Sequence, residues 1–377
     1  MPEAENHWFY IYHRHHIERL KIKQSTYDPC FLNTHANEPF GLVGLQTDDT
    51  FILADDTFAQ KEQDELQKAK FIAKPREQLT YEHPIKFNGG IITATNSGIV
   101  FTQTRQCNNL RTINPHPVDI VSSRGTVRSS IDIKGQYVVM RARGAYIATI
   151  CQPEASFDLS YAAQITNPND DDIKFLNKRL QWQCNNHSRG LTFVPLDMDS
   201  LQLIAFTDSS FANNNDLSSQ IGFVIVLAES NSDKQGLYKA NIIHWSSIKC
   251  KRVTRSVLAS ELYAMAHGFD TVAALKSTIE TILRKAIPLT LCTDSKSLYD
   301  CLVKLGTTRE KRLMIDLMCL RQAYERREVA EIKWIDGNSN PADAMTKLKP
   351  CQALKDLIDT NTVKLNVTEW VEREGGT

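Results

Sequence analysis

The C-terminal half of the sequence predicts an α/β fold, α+β over the whole chain: a mixed five-stranded sheet with flanking helices, preceded by hairpins and a helical connection. Three observations predict it. Strand-like runs follow one another from Leu201 to Trp245, strand-like and helix-like segments then alternate up to Ile335, and four acids stand at the ends or margins of those elements.

With 377 residues the chain is long enough for two or three folded units, and 42% hydrophobic with 23% charged residues is ordinary for a globular protein. Lysine plus arginine (44) equals aspartate plus glutamate (44), so any basic groove for nucleic acid must be local. Nine cysteines are scattered singly, without zinc-ribbon spacing, which favours reduced thiols. Met1 to Leu20 lacks the uninterrupted apolar core of a signal peptide, and no run approaches a membrane span. The expectation is a soluble protein of cytoplasm or nucleus with no membrane partner.

Along the first half, His7, His13, His15 and His16 crowd one segment. Without a companion cysteine or acid at ligand spacing, a solvated helix face is the better reading than a metal site. Gly41 to Phe58 reads as strand, turn and strand with Asp48 and Asp49 at the tip, and Gln60 to Phe71 as a helix. Ile85 to Phe101 reads as a second hairpin turned at Asn96-Ser97-Gly98. Thr126 to Gln164 carries apolar residues at helical spacing, broken near Gln152-Pro153; Asp171 to Cys184 is another helix, and Asn185 to Ser200 a linker.

Beyond the linker, Leu201–Thr207, Gln220–Leu227 and Lys239–Trp245 are the three strands of a meander. A helix from Ser256 to Phe269, a strand from Leu289 to Thr293 and a helix from Ser295 to Leu302 follow. Arg309 to Glu325 is a helix, Glu331 to Ile335 a strand, and a last helix opens at Asn340-Pro341.

Asp208 follows an apolar run that belongs mid-sheet, and Asp294 stands in the same relation to its own strand, so parallel neighbours could deliver both carboxylates to one edge. Glu261 lies at the margin of an apolar helix stripe, and Asp343 in the first turn of the last helix. Each alone is more often a turn, cap or surface acid. Together they form the inventory that two-metal phosphodiester cleavage needs: hard oxygen ligands for cations on the order of 4 Å apart.

These segments resemble the ribonuclease H domain of copia-type (Pseudoviridae-like) retrotransposon Pol polyproteins. FTDSSFA around Asp208, RSVLASELYAM around Glu261, CTDSKSL around Asp294 and NPADAMTK around Asp343 look like that family's four metal-ligand segments, and HWSSIKCKRVTRS like its lead-in to the first helix. The resemblance implies that the four acids are catalytic ligands of two Mg2+ ions, with Mn2+ as a substitute. It also puts Ser295, Lys249 and Arg255 beside the backbone of an RNA/DNA hybrid. Gly337-Asn338-Ser339 occupies the place of a histidine loop without a histidine, as is usual in copia-type domains.

Upstream, HWFYIYHRHHIERLKIKQSTYDPCFL and GLQTDDTFILADD resemble the end of a reverse transcriptase palm. Asp48 and Asp49 match its acidic pair, and Gln46 replaces the usual aromatic residue. RGAYIATICQPEASFDLSYAAQ resembles the connection to ribonuclease H. The implied division is a partial reverse transcriptase palm and thumb over 1–110, a helical connection and linker over 111–199, a ribonuclease H-like domain over 200–349, and a tail over 350–377. A third polymerase aspartate would precede Met1, so RNA-directed DNA polymerase activity is expected to be absent. The expected function is cleavage of the RNA strand of hybrids, alongside other retrotransposon polyprotein products and within virus-like particles. The alternative is a catalytically inert nucleic-acid-binding remnant of such an element.

Overall fold

The computed structural model describes residues 2–46, 49–72, 74–114, 116, 118–121, 127–230, 236–308 and 310–371. The chain divides into two compact units, Met1–Ala94 with Thr271–Ile287, and Thr95–Asp270 with Pro288–Thr377. No helix among the described residues is long and apolar enough to cross a membrane.

In the first unit, helix α1 (Pro2–Leu20) precedes a four-stranded antiparallel sheet of β1 (Lys23–Gln24), β2 (Phe31–Asn33), β3 (Gly41–Gln46) and β4 (Asp49–Ala54), in that order. Asp55 follows β4 and caps α2 (Asp56–Lys68), its carboxylate accepting from Phe58 N at 2.8 Å. The stripe this exposes on α2, Phe58 and Leu66, packs with Tyr12, Leu20 and Val43. The expected solvated histidine face is corrected here. His16 is fully buried, with Nδ1 3.0 Å from Tyr12 O and Nε2 3.3 Å from Glu62 Oε1, because α2 covers that side of α1. Strands β5 (Ile85–Phe87) and β6 (Gly90–Thr95) form a hairpin turned at Asn88-Gly89, where both residues have positive φ (47° and 68°) as its two-residue turn requires. The sequence reading had merged this hairpin with the next strand.

The second unit opens with β7 (Gly98–Thr102), and the turn before it falls at Asn96-Ser97 as expected, Thr95 Oγ1 donating to Gly98 O at 2.9 Å. Helix α3 (Thr104–Asn108) and strands β8 (Val118–Val121) and β9 (Val127–Ile131) lead into α4 (Ile133–Ile150), α5 (Ser156–Ala162) and α6 (Asp170–Asn185). Asp132 caps α4, Pro153 forces the break before α5, and Asn169 with Asp172 builds a capping box on α6. Leu110, Tyr137, Ile147, Leu159, Leu176 and Leu180 form their common core. Asn185–Ser200 is more than a linker: β10 (Gly190–Phe193) pairs antiparallel with β7, and Leu191 is buried in the core of the main sheet.

That sheet contains the five expected strands: β11 (Leu201–Ser210), β12 (Gln220–Ser230), β13 (Leu237–Lys249), β14 (Leu289–Thr293) and β15 (Glu331–Ile335). The first three pair antiparallel, whereas β11, β14 and β15 run parallel, in the order β13-β12-β11-β14-β15. This is the mixed five-stranded sheet expected from the sequence. The helices are α7 (Val257–Leu283), α8 (Lys296–Val303) and α9 (Met314–Glu325). The tail is not a tail. Helix α10 (Gln352–Thr360) buries Leu354, Leu357 and Ile358, while β16 (Thr362–Lys364) and β17 (Val367–Glu369) extend the sheet to seven strands. Both sheet edges are thereby covered.

Trp245 joins the helical segment to the sheet, its Nε1 donating to Ala148 O at 3.0 Å and to Ser156 Oγ at 3.1 Å. Trp245→Phe keeps most of the ring and strands those acceptors, so chemical denaturation should show a loss of about 1–2 kcal/mol.

Candidate active site

Strands β11 and β14 pair in parallel, Phe206 opposite Cys292, and two residues further along each strand stand Asp208 and Asp294. Equal register places both side chains on the same face at the same level. Asp208 does not follow the strand, as the sequence suggested; it lies inside it, paired with Gly222 and 1% exposed, because β12 continues the ladder through Ser210. Asp343 comes from the segment Pro341–Met345, a single 3-10 turn rather than an α-helix, which is fixed by Asn340. Asn340 Oδ1 accepts from Ala342 N at 3.1 Å, and its Nδ2 donates to Thr207 O at 3.1 Å. One carboxylate oxygen from each of Asp208, Asp294 and Asp343 lies within 4.8 Å of the other two.

Glu261 sits on the second turn of α7 and is 4% exposed, not at a wet margin, since α7 is buried on all sides over this stretch. Its Oε2 is buried with no hydrogen-bond partner among the described residues. Burial raises its pKa well above the carboxylate range, and the charges of Asp208 and Asp294 add to this. Burial likewise raises Asp208, helped by Asp343 and Asp294 and opposed by Lys347, and Asp294, helped by Asp343. Three carboxyls thus converge at an energetic cost that a cation would remove, and Glu261, outside that 4.8 Å group, is near enough for Asp208 and Asp294 to act on its charge.

Two residues the sequence reading overlooked complete the cluster. Thr346 Oγ1 donates to Asp208 Oδ2, and Lys347 Nζ lies 3.4 Å from Asp208 Oδ1 and 2.9 Å from Asp343 Oδ1. The signal for Lys347 was its spacing four residues after Asp343, an ordinary ion-pair interval on a helical turn.

The other expected site residues are more dispersed. Ser295, directly after Asp294, caps α8, accepting from Leu298 N at 3.4 Å. Lys249 ends β13 and pairs with Asp216, and Arg255 is exposed just before α7. In the first unit, Asp49 begins β4 opposite Gln46 and is exposed; Asp48 lies outside the described residues.

Gly222 lets the Asp343 turn reach the sheet. A Cβ at this position would stand 2.3 Å from Met345 Cβ and 3.2 Å from Ser246 O. Gly222→Ala must push the turn off β12, so denaturation should show a loss of about 1–3 kcal/mol, with divalent-cation affinity falling in parallel.

The donor set is uniformly carboxylate oxygen and closely spaced, which fits a hard divalent cation.

A scan against protein-family profiles finds no match. Among curated proteins, the chain is similar to the Ty1-DR5 and Ty1-H Gag-Pol polyproteins of Saccharomyces cerevisiae, at 24% identity over 199 residues, 52% of this chain and 10% or 9% of theirs. It therefore spans about a tenth of the length of these relatives, and the similarity to retrotransposon Pol sequence expected from the motifs is found. Among solved structures, it is similar to ribonuclease H1 from Halobacterium salinarum NRC-1 (17% identity, 41% of this chain and 98% of that one, TM-score 0.29). Others are LC11-RNase H1 in complex with an RNA/DNA hybrid (17%, 41% and 99%, TM-score 0.30) and a foamy viral protease-reverse transcriptase in complex with an RNA/DNA hybrid (14%, 74% and 34%, TM-score 0.39).

Proposed function

We propose that the chain is a divalent-metal-dependent endonuclease that cleaves the RNA strand of RNA/DNA hybrids, acting as part of a retrotransposon polyprotein. The observation that carries this reading is the convergence of Asp208, Asp294 and Asp343 oxygens within 4.8 Å, beside the unpartnered Glu261 Oε2. Acids recruited from two strands, a helix and a turn and buried at such cost serve a ligand better than they serve stability.

In this reading Asp208, Glu261, Asp294 and Asp343 would hold two Mg2+ ions, which would supply charge stabilisation of the scissile phosphate. Thr346 orients Asp208 through its hydroxyl, and Asn340 anchors the Asp343 turn to β11. Ser295 is the residue next to Asp294, and Lys249, partly exposed and paired with Asp216, and Arg255, exposed, provide charge for the hybrid backbone. The similarity to Ty1 Gag-Pol sequence supports a retrotransposon setting, in cytoplasm, nucleus or virus-like particles.

The test is a hybrid labelled on each strand, incubated with wild type and Asp294→Asn in Mg2+. Shortening of the RNA by wild type alone, with the DNA intact, is expected. Binding of the hybrid without cleavage under any divalent cation would instead favour an inert nucleic-acid-binding remnant.

A further inference from the structure

The carboxylate cluster brings its own cation. The ammonium of Lys347 stands between Asp208 and Asp343, at 3.4 Å and 2.9 Å from their Oδ1 atoms. Burial opposes its charge, but Asp208, Asp343 and Asp294 outweigh burial and hold it above the usual lysine range. The backbone fixes the root of the side chain, Lys347 N donating to Asp343 O at 3.0 Å, and the adjacent Thr346 is bonded to Asp208. The side chain is nevertheless 37% exposed and its stem is flexible.

A divalent ion held by Asp208 and Asp343 would compete with Lys347 for the charge of these carboxylates. Ammonium and divalent cation repel each other at such separations, most strongly where water is excluded. We propose that Lys347 is a built-in counter-ion that competes with the divalent cation for Asp208 and Asp343 and is displaced toward the open side of the cluster when that cation binds. The inference rests on the metal-dependent reading above. It assigns Lys347 two states: without metal it offsets the repulsion among the carboxylates, and with metal it presents a positive charge where a substrate phosphate would approach.

The experiment is calorimetric titration of the full chain with Mn2+ at neutral pH, together with melting in EDTA, for wild type, Lys347→Met, Lys347→Gln and Lys347→Arg. The two neutral variants are expected to bind Mn2+ about tenfold more tightly, within the usual range for coupled sites, and to melt below wild type in EDTA. Lys347→Arg, which keeps the charge, should bind as wild type does. Equal or weaker binding by both neutral variants, with wild type binding normally, overturns the inference alone. Tightening by Lys347→Arg as large as that by Lys347→Met also overturns it, since bulk rather than charge would then be the cause. Absence of Mn2+ binding by every protein, wild type included, overturns it together with the nuclease reading.

Discussion

Asp208→Asn is expected to abolish hybrid cleavage and, in EDTA at about pH 8, to melt at a higher temperature than wild type. Losing the ligand at the centre of the cluster removes several kcal/mol of charge stabilisation, a fall of about 10³-fold or more in kcat/KM. The stability gain has a separate origin. Asp208 is buried beside Asp343 and Asp294, and folding must either protonate it or bear the repulsion. Asparagine resembles the protonated carboxyl in shape, can still accept from Thr346, and carries no charge. A gain of about 1–3 kcal/mol, a few degrees in Tm for a chain of this size, should follow. Opposite signs for activity and stability are the mark of a site whose acids are retained for chemistry. A variant with full activity, or one inactive merely because it is unstable, would remove Asp208 from the site.

Parts of this arrangement were legible in the sequence because they depend on local pattern. Strands Leu289–Thr293 and Glu331–Ile335 are observed with the bounds read from their apolar runs. Helix α7 extends to Leu283, well beyond the expected Phe269, because Val272 onward continues the helical period without a stop signal. Asp208 was misplaced to a strand end because Thr207-Asp208-Ser209-Ser210 is polar and turn-like. It stays in the ladder because β12 offers Gly222 opposite the aspartate, leaving space for the Asp343 turn.

What local pattern cannot carry is partnership across the chain. Glu261 reads as a helix margin because its stripe is set by spacing, whereas its burial is set by β11, against which this turn of α7 packs, Ser209 Oγ donating to Ser260 Oγ at 2.9 Å. The role of Lys347 depends on Asp208, 139 residues away. Strands β16 and β17 are three residues each, too short to register in composition, and exist only because β13 and β15 offer unpaired edges. Likewise His16 is read as surface until α2 places Glu62 against it.

The same cluster fixes how stability should vary with pH. Burial, then Asp343 and Asp294, push Asp208 from the usual range near 3.8 up to about 7. A raised carboxyl pKa means that between these values the folded chain binds more protons than the unfolded one, so stability falls as pH rises. In EDTA, the contribution of Asp208, read as the difference in unfolding free energy between wild type and Asp208→Asn, should therefore be greatest on the acid side of this window and decline from about pH 4 to about pH 7, by at most about 4 kcal/mol at 1.36 kcal/mol per pKa unit; His244, lowered by burial to about 4, acts in the opposite direction on the total and cancels in that difference. Raised values for Glu261 and Asp294 act in the same direction as Asp208. Divalent cations bind the ionised form, so saturating Mg2+ should flatten this decline and stabilise the chain more at pH 8 than at pH 5, by about 2–3 kcal/mol at a hundredfold excess over Kd. Denaturation across this range, with EDTA and with Mg2+, measures both slopes. A wild-type minus Asp208→Asn difference that does not fall with pH in EDTA, or a Mg2+ effect equal at pH 5 and pH 8, would show that these carboxyls do not share one charged site.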